Sequence, residues 1–308
     1  MANSSHQANL FDDAEDICAS PPAISASGRG SLDEPTARGL LDQLLADSKL
    51  YRSGKDYQYL LQFIGRLRGF APFNAMLLDV QKSGLSYAAS ARDWRERFGR
   101  FPKEGARPLL IMWPFGPVAT VYDVLDTEGR PLPEDVFKFV ATGSMDLARL
   151  QNFRDRLSRR RIECKWVDKG DRAAGSIRVV RRPALRKNPS TYRIVLNGNH
   201  APAVQFVTLA HELGHLFLGH LGVDKYLDIP RRKPLRHDEK EIEAESIAFI
   251  VSERIGIKSK SHPYLSKLVG ANSSAEDIDI FQVMRAAGQV ESLLGVSPKI
   301  RYDKPEPR

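Results

Sequence analysis

A chain of 308 residues, 42% hydrophobic and 27% charged, exceeds what one typical core requires and suffices for two. Its apolar runs are broken by charge well short of the ~20 residues that cross a bilayer, and its start, MANSSHQANLFDDAEDICAS, has no basic region followed by an apolar one, so we expect a soluble protein of the cytoplasm with no membrane partner. Only Cys18 and Cys164 are present, which excludes a disulfide framework and a cysteine-ligated zinc site, while the net charge of +8 favours a polyanionic partner without identifying it.

Residues 1–35 are rich in Ser, Ala, Asp and Gly and hold too little large apolar surface to offset ordering entropy, which predicts a disordered tail. Next, TARGLLDQLLADSKL (36–50), KDYQYLLQFIGRLRGF (55–70) and APFNAMLLDVQKSG (71–84) space apolar residues three and four apart, the pattern of amphipathic helices. PLLIMWPF (108–115) and VATVYDVLD (118–126) are β-branched and aromatic, and the Gly-Pro between them suits a hairpin. TEGRPLPED (127–135) concentrates turn residues and is expected to link a first part, 36–135, to a second, 140–308. The second part is predicted to open with a helix over 145–161. Strands near 163–167, 175–181 and 191–197 follow, and helices over 202–219, 239–255 and 275–294 close the chain. The expected fold class is α+β in two domains.

Basic residues recur in RDRLSRRR (154–161), RRPALRK (181–187) and RRKPLR (231–236). Each run reads at least as readily as a solvated helix face or loop as it does as a nucleic-acid contact.

The chemistry concentrates in HELGHLFLGH, 211–220. Residues four apart on a helix lie about 40° apart around its axis, so His211 and His215 project side by side, and Val204, Val207 and Leu218 fall on the same stripe, expected to face the interior. A catalytic zinc takes three protein ligands and leaves one position to water, whose pKa falls to about 7. Glu212, next to the first histidine, is suited to take that water's proton. A pair of hydrogen-bonded core histidines is the alternative. The third ligand could be His220, which would need a sharp turn at Gly219, or a carboxylate from DEKEIEAESIAFIVSERIG. On that helix Glu241, Ala244, Glu245 and Ala248 form one stripe of carboxylates and small residues. Small residues let two helices approach closely, so Glu241 is the preferred third ligand and Glu245 is expected to hold a ligand histidine from behind. Tyr264 or His262 in SHPYL could donate to an oxyanion, although a helix start with Pro in its first turn explains the same residues.

TLAHELGHLFLGH followed by EIEAESIAF resembles the ImmA/IrrE family of metallopeptidases and the peptidase domain of the ArdC antirestriction family, over roughly residues 140–295. That resemblance implies a zincin fold, a zinc ion held by His211, His215 and Glu241, and Glu212 as the base. FNAMLL (73–78), YAASARDWRERFGRFPKEGARPLLIMWP (87–114) and VYDV (121–124) look like the N-terminal domain of ArdC, which implies binding of single-stranded DNA. In that stretch aromatic residues interleave with basic ones, among them Arg92, Lys103 and Arg107, as a stacking groove for a nucleic-acid strand requires. Trp94, Phe98 and Trp113 read more readily as core. The expectation is a zinc-dependent endopeptidase joined to a single-stranded-DNA-binding module, acting in antirestriction or on a protein substrate such as a transcriptional repressor. The alternative is a DNA-binding protection factor whose zinc site is structural or vestigial.

Overall fold

The computed structural model describes residues 53–112, 118–132, 145–168, 174–183, 189–258 and 278–297. The tail expected over 1–35, the helix expected over 36–50, Trp113, Phe115, His262 and Tyr264 lie outside the described residues. In chain order the first half contains α1 (Gly54–Arg66), α2 (Pro72–Gln81), β1 (Ala88–Ala89), α3 (Ala91–Phe98), β2 (Arg100–Pro102), β3 (Leu109–Met112), β4 (Val118–Asp123) and β5 (Thr127–Gly129). The second half contains α4 (Leu147–Arg159), β6 (Ile162–Val167), β7 (Gly175–Arg181), β8 (Thr191–Asn197), α5 (Pro202–Phe217), α6 (His237–Arg254) and α7 (Ile280–Leu294). The fold is α+β, as its alternation of apolar periods predicts. None of the described helices is long and apolar enough to cross a membrane.

β3 and β4 pair as the expected hairpin, with Met112 opposite Val118, and β4 also pairs with β1. The free edge of β3 is closed by side chains of α2. Asn74 accepts from the Met112 N–H at 2.9 Å and donates to its carbonyl at 3.0 Å; Gln81 does the same for Leu110 at 2.7 and 2.8 Å. Alternate residues of a strand point their backbone groups the same way, so two amides on one helix face can satisfy them and leave no edge for another chain to join.

The segment 127–129, expected to begin a linker, is instead a strand, β5, antiparallel to β2. Arg100 fastens it, donating from Nη2 to the Thr127 carbonyl at 2.6 Å and from Nη1 to the Arg130 carbonyl at 2.7 Å.

β6 and β8 run parallel, and β7 lies antiparallel on the other side of β8. Alternation along β8 buries Tyr192, Ile194 and Leu196. Cys164 is buried in β6, where burial pushes its thiol up to about 12 and leaves it unreactive.

Apolar side chains from both expected parts share one core, which runs from Tyr57 and Leu60 through Ile194 and Leu213 to Val290. Separate interiors for 36–135 and 140–308 are therefore not what the packing displays. The reason is α6, whose Ile242, Ala244, Ile247, Ala248, Ile250 and Val251 are all buried, because α1, α5 and α7 each pack against it. Polar links reinforce the join. Tyr57 of α1 donates to Ser246 of α6 at 2.8 Å. Arg254, at the end of α6, is ion-paired with Glu291 of α7 at 2.5 Å and donates to the carbonyls of Ile64, Leu67 and Phe70, satisfying acceptors at and beyond the end of α1. A small second cluster, Ala89, Trp94 and Val124 with Tyr87, Phe98 and Tyr122 around it, sits under α3.

Candidate metal centre

α5 starts at Pro202, whose missing N–H costs nothing at a first helical position. It crosses α6 at Gly214, where an added Cβ would lie 3.2 Å from both the Cα and the carbonyl oxygen of Ala244. This approach brings Glu241 of α6 up to the histidines of α5. The Nε2 atoms of His211 and His215 are 3.1 Å apart, and the Glu241 carboxylate lies 3.5 Å from the first and 3.4 Å from the second. The three donor atoms form a group in which every pair is within 4.8 Å. Nitrogen and oxygen ligands ~2.0–2.1 Å from one tetrahedral ion stand about 3.3 Å from each other, so this donor set fits a divalent metal.

The electrostatics point the same way. For His211, burial opposes the charged ring, but hydrogen bonds to Glu241 and Glu245 outweigh it and raise the pKa to about 9. Burial, and then the charge of His211, pushes His215 well below its ordinary value. The hydrogen bond with His211 leads in holding Glu241 below the usual carboxylate range. The shifts together favour positive charge where the three donors converge, the place a cation would take.

Behind the donors, Nδ1 of His211 is 3.0 Å from Glu245. Glu212 is 8% exposed. The side chains of His211, His215 and Glu241 are 19%, 15% and 24% exposed, so the centre opens on one side. Val204, expected on the buried stripe, is 46% exposed, whereas Leu218 is fully buried. The stripe changes from open to closed along α5 because the helix passes from the surface into the core.

Residues 174–258 match the family profile Peptidase_M78, the IrrE N-terminal-like domain.

This IrrE-like segment contains β7, β8, α5 and α6, and with them all three donors. Among solved structures, the chain is similar to the antirestriction protein ArdC of plasmid R388 in its metal-free form, with 15% identity and a TM-score of 0.36 over 78% of this chain and 95% of that one. The Mn(II)-bound form gives 17% identity and a TM-score of 0.37 over 78% and 96%. A search of the curated proteins finds no match.

His220 does not converge with Glu241. Gly219 adopts a left-handed conformation, φ +78°, which only glycine takes freely, and its added Cβ would meet the Pro230 carbonyl at 2.8 Å. The turn carries His220 behind His215, where it meets Glu243 at 3.0 Å. Arg232 pairs with the same Glu243 at 2.8 Å. Sequence reasoning missed Glu243 and Arg232. The former was hidden between the two stripe carboxylates, and the latter stood in the RRKPLR run, read there as a nucleic-acid contact or a solvated loop. His200 pairs with Asn197 at 3.4 Å in the turn before α5.

The first-half candidates stand on the surface. Arg92 is exposed and pairs with Glu96 at 2.9 Å, Lys103 is exposed and donates to the Leu125 carbonyl at 2.8 Å, and Arg107 is exposed. Trp94 is fully buried and donates to the Tyr122 carbonyl, which removes it as a stacking platform; Phe98 packs beside it at a ring distance of 5.2 Å. Among the described residues of this region, Phe101 has an exposed ring, at 52%.

Proposed function

We propose that the chain is a zinc-dependent endopeptidase of the IrrE type, with His211, His215 and Glu241 as the metal ligands. The observation that supports this is the spacing of their donor atoms, close to that of a tetrahedral set. Zinc bound there supplies Lewis acidity and lowers the pKa of water. Glu212 takes a proton from the attacking water and returns it to the leaving amine. Glu245 accepts from Nδ1 of His211 and keeps that ring's Nε2 turned to the ligand position. Tyr264 is the proposed oxyanion donor.

The peptidase reading is joined to binding of single-stranded DNA by Arg92, Lys103 and Arg107. Their exposure, together with that of Arg95, Arg97 and the Phe101 ring, supports a surface for a polyanion. A protein substrate such as a transcriptional repressor fits the peptidase reading, and action in antirestriction fits the DNA reading.

Elemental analysis of the purified chain combined with a proteolysis assay, with and without single-stranded DNA, tests the proposal. About one zinc per chain and cleavage that requires it are expected. Zinc and DNA binding without any cleavage would favour a DNA-binding protection factor with a structural zinc site.

A further inference from the structure

Both candidate ligand histidines face the donor group through Nε2, so each turns Nδ1 to the rear. A ring can ligate through Nε2 only if that atom carries the lone pair, so the proton must sit on Nδ1. For His211 the rear partner is the Glu245 carboxylate, 3.0 Å away. An ionised carboxylate only accepts, and the tautomer of His211 follows. For His215 the rear partner is another imidazole, with its Nδ1 2.8 Å from Nδ1 of His220. Either ring could donate in such a pair, and the pair alone decides nothing.

The decision lies one group further back. Nε2 of His220 is 3.0 Å from Oε2 of Glu243, whose side chain is 1% exposed. That carboxylate also accepts from Arg232 Nη1 at 3.1 Å and Nη2 at 2.8 Å, and from the Asp279 backbone N–H at 3.3 Å. Surrounded by donors, Glu243 accepts from His220 as well, so the His220 proton is on Nε2. With that proton turned to Glu243, His220 presents Nδ1 to Nδ1 of His215, where it is the acceptor that a ring ligating through Nε2 needs behind it.

We propose that His220, Glu243 and Arg232 form a positioning relay that fixes the proton of His215 on Nδ1 and thereby aims its Nε2 lone pair at the ligand position. The relay rests on the metal-centre reading above. It gives the two histidines of one helix different supports: Glu245 acts on His211 directly, and Glu243 acts on His215 through the His220 ring, with Arg232 holding the Glu243 carboxylate in place. The left-handed turn at Gly219 brings that ring into place, and the backbone N–H of His220 donates to the His215 carbonyl at 3.1 Å.

The test is zinc affinity of the full chain, measured by competition with a chelator, for wild type, His220→Leu and His220→Asn, with the thermal midpoint of each metal-free protein alongside. Leu fills the space without an acceptor, whereas the Asn carbonyl can stand where Nδ1 stood. We expect His220→Leu to bind zinc about 10–100-fold more weakly and His220→Asn to recover most of that loss, at similar thermal midpoints. Equal zinc affinity in folded His220→Leu and wild type would overturn the relay, and so would a loss in His220→Asn as large as in His220→Leu. If His220→Leu does not fold, imidazole nitrogen NMR of metal-free wild type decides: a proton on Nδ1 of His215 supports the relay, and one on Nε2 overturns it. A wild type no better at binding zinc than His211→Ala would instead overturn the metal centre itself.

Discussion

The helix pair α5–α6 and the basic surface around α3 and β2 contain similar residue types and use them oppositely. Around His211 and His215 the charged groups point inward, and each of Glu241, Glu243, Glu245 and Arg232 meets a partner within 3.5 Å. Around α3 the rings of Trp94 and Phe98 point inward, while Arg92, Lys103 and Arg107 stay in solvent. Buried charges need matched partners at fixed positions, because a lone charge in the interior is expensive. Exposed charges carry no such requirement and acquire a role only when a ligand arrives. The first region is preorganised around one point, where three donors converge; the second offers an extended positive field.

The largest effect should come from breaking the preorganised region. His211→Ala, His215→Ala or Glu241→Ala should each remove most of the zinc found by elemental analysis, because two ligands do not hold the geometry of three. Chelation of the wild-type metal should have the same consequence for proteolysis. Retention of zinc in all three variants would mean that the donor group is only two packed helices.

Next, Glu212→Gln should keep zinc and fold but lose peptidase activity by at least about 100-fold, since an amide cannot accept a proton from water. DNA binding should be unchanged, which a mobility-shift assay checks. Undiminished cleavage would take the base role away from Glu212.

A smaller effect tests the crossing that assembles the site. Gly214→Val should destabilise the chain by about 1–3 kcal/mol in denaturant unfolding, as forced overpacking does, and should weaken zinc binding as α5 and α6 part. Unchanged stability and zinc affinity would mean that the 3.2 Å approach to Ala244 does not set the donor spacing.

The smallest effect should come from the exposed region. Replacing Arg92, Lys103 and Arg107 together by Ala should alter stability by no more than about 0.5 kcal/mol for each. Binding to a single-stranded oligonucleotide should weaken, with the log–log salt slope flattened by up to about 0.7 per lost phosphate contact. An unchanged slope would move the polyanion surface elsewhere.

Apolar patterning located the helices of the second half and its three strands: β8 alternates with a period of 2, and α6 carries an apolar run buried on nearly every side. It also singled out the three donors, since His211 and His215 share a helix face by spacing and Glu241 leads the one stripe that mixes carboxylates with small residues. The strand at 127–129 escaped notice, because the Glu and Gly of TEG are poor strand formers and the segment is held by hydrogen bonds from Arg100. The single shared core was equally hidden, since Arg254 reaches the carbonyls of Ile64 and Leu67 from 190 and 187 residues further along the chain.

By itself, then, the sequence determined which side chains could bind a metal and on which helix faces they lie, because helix geometry is local. Only the tertiary structure decided what stands behind them. Whether Glu243 faces solvent or His220, and whether Arg232 serves a polyanion or a carboxylate, depends on the left-handed turn at Gly219 and on the closeness of α5 to α6 at Gly214. Both are products of packing between segments distant in the chain, and burial there turns ordinary charged residues into obligatory partners.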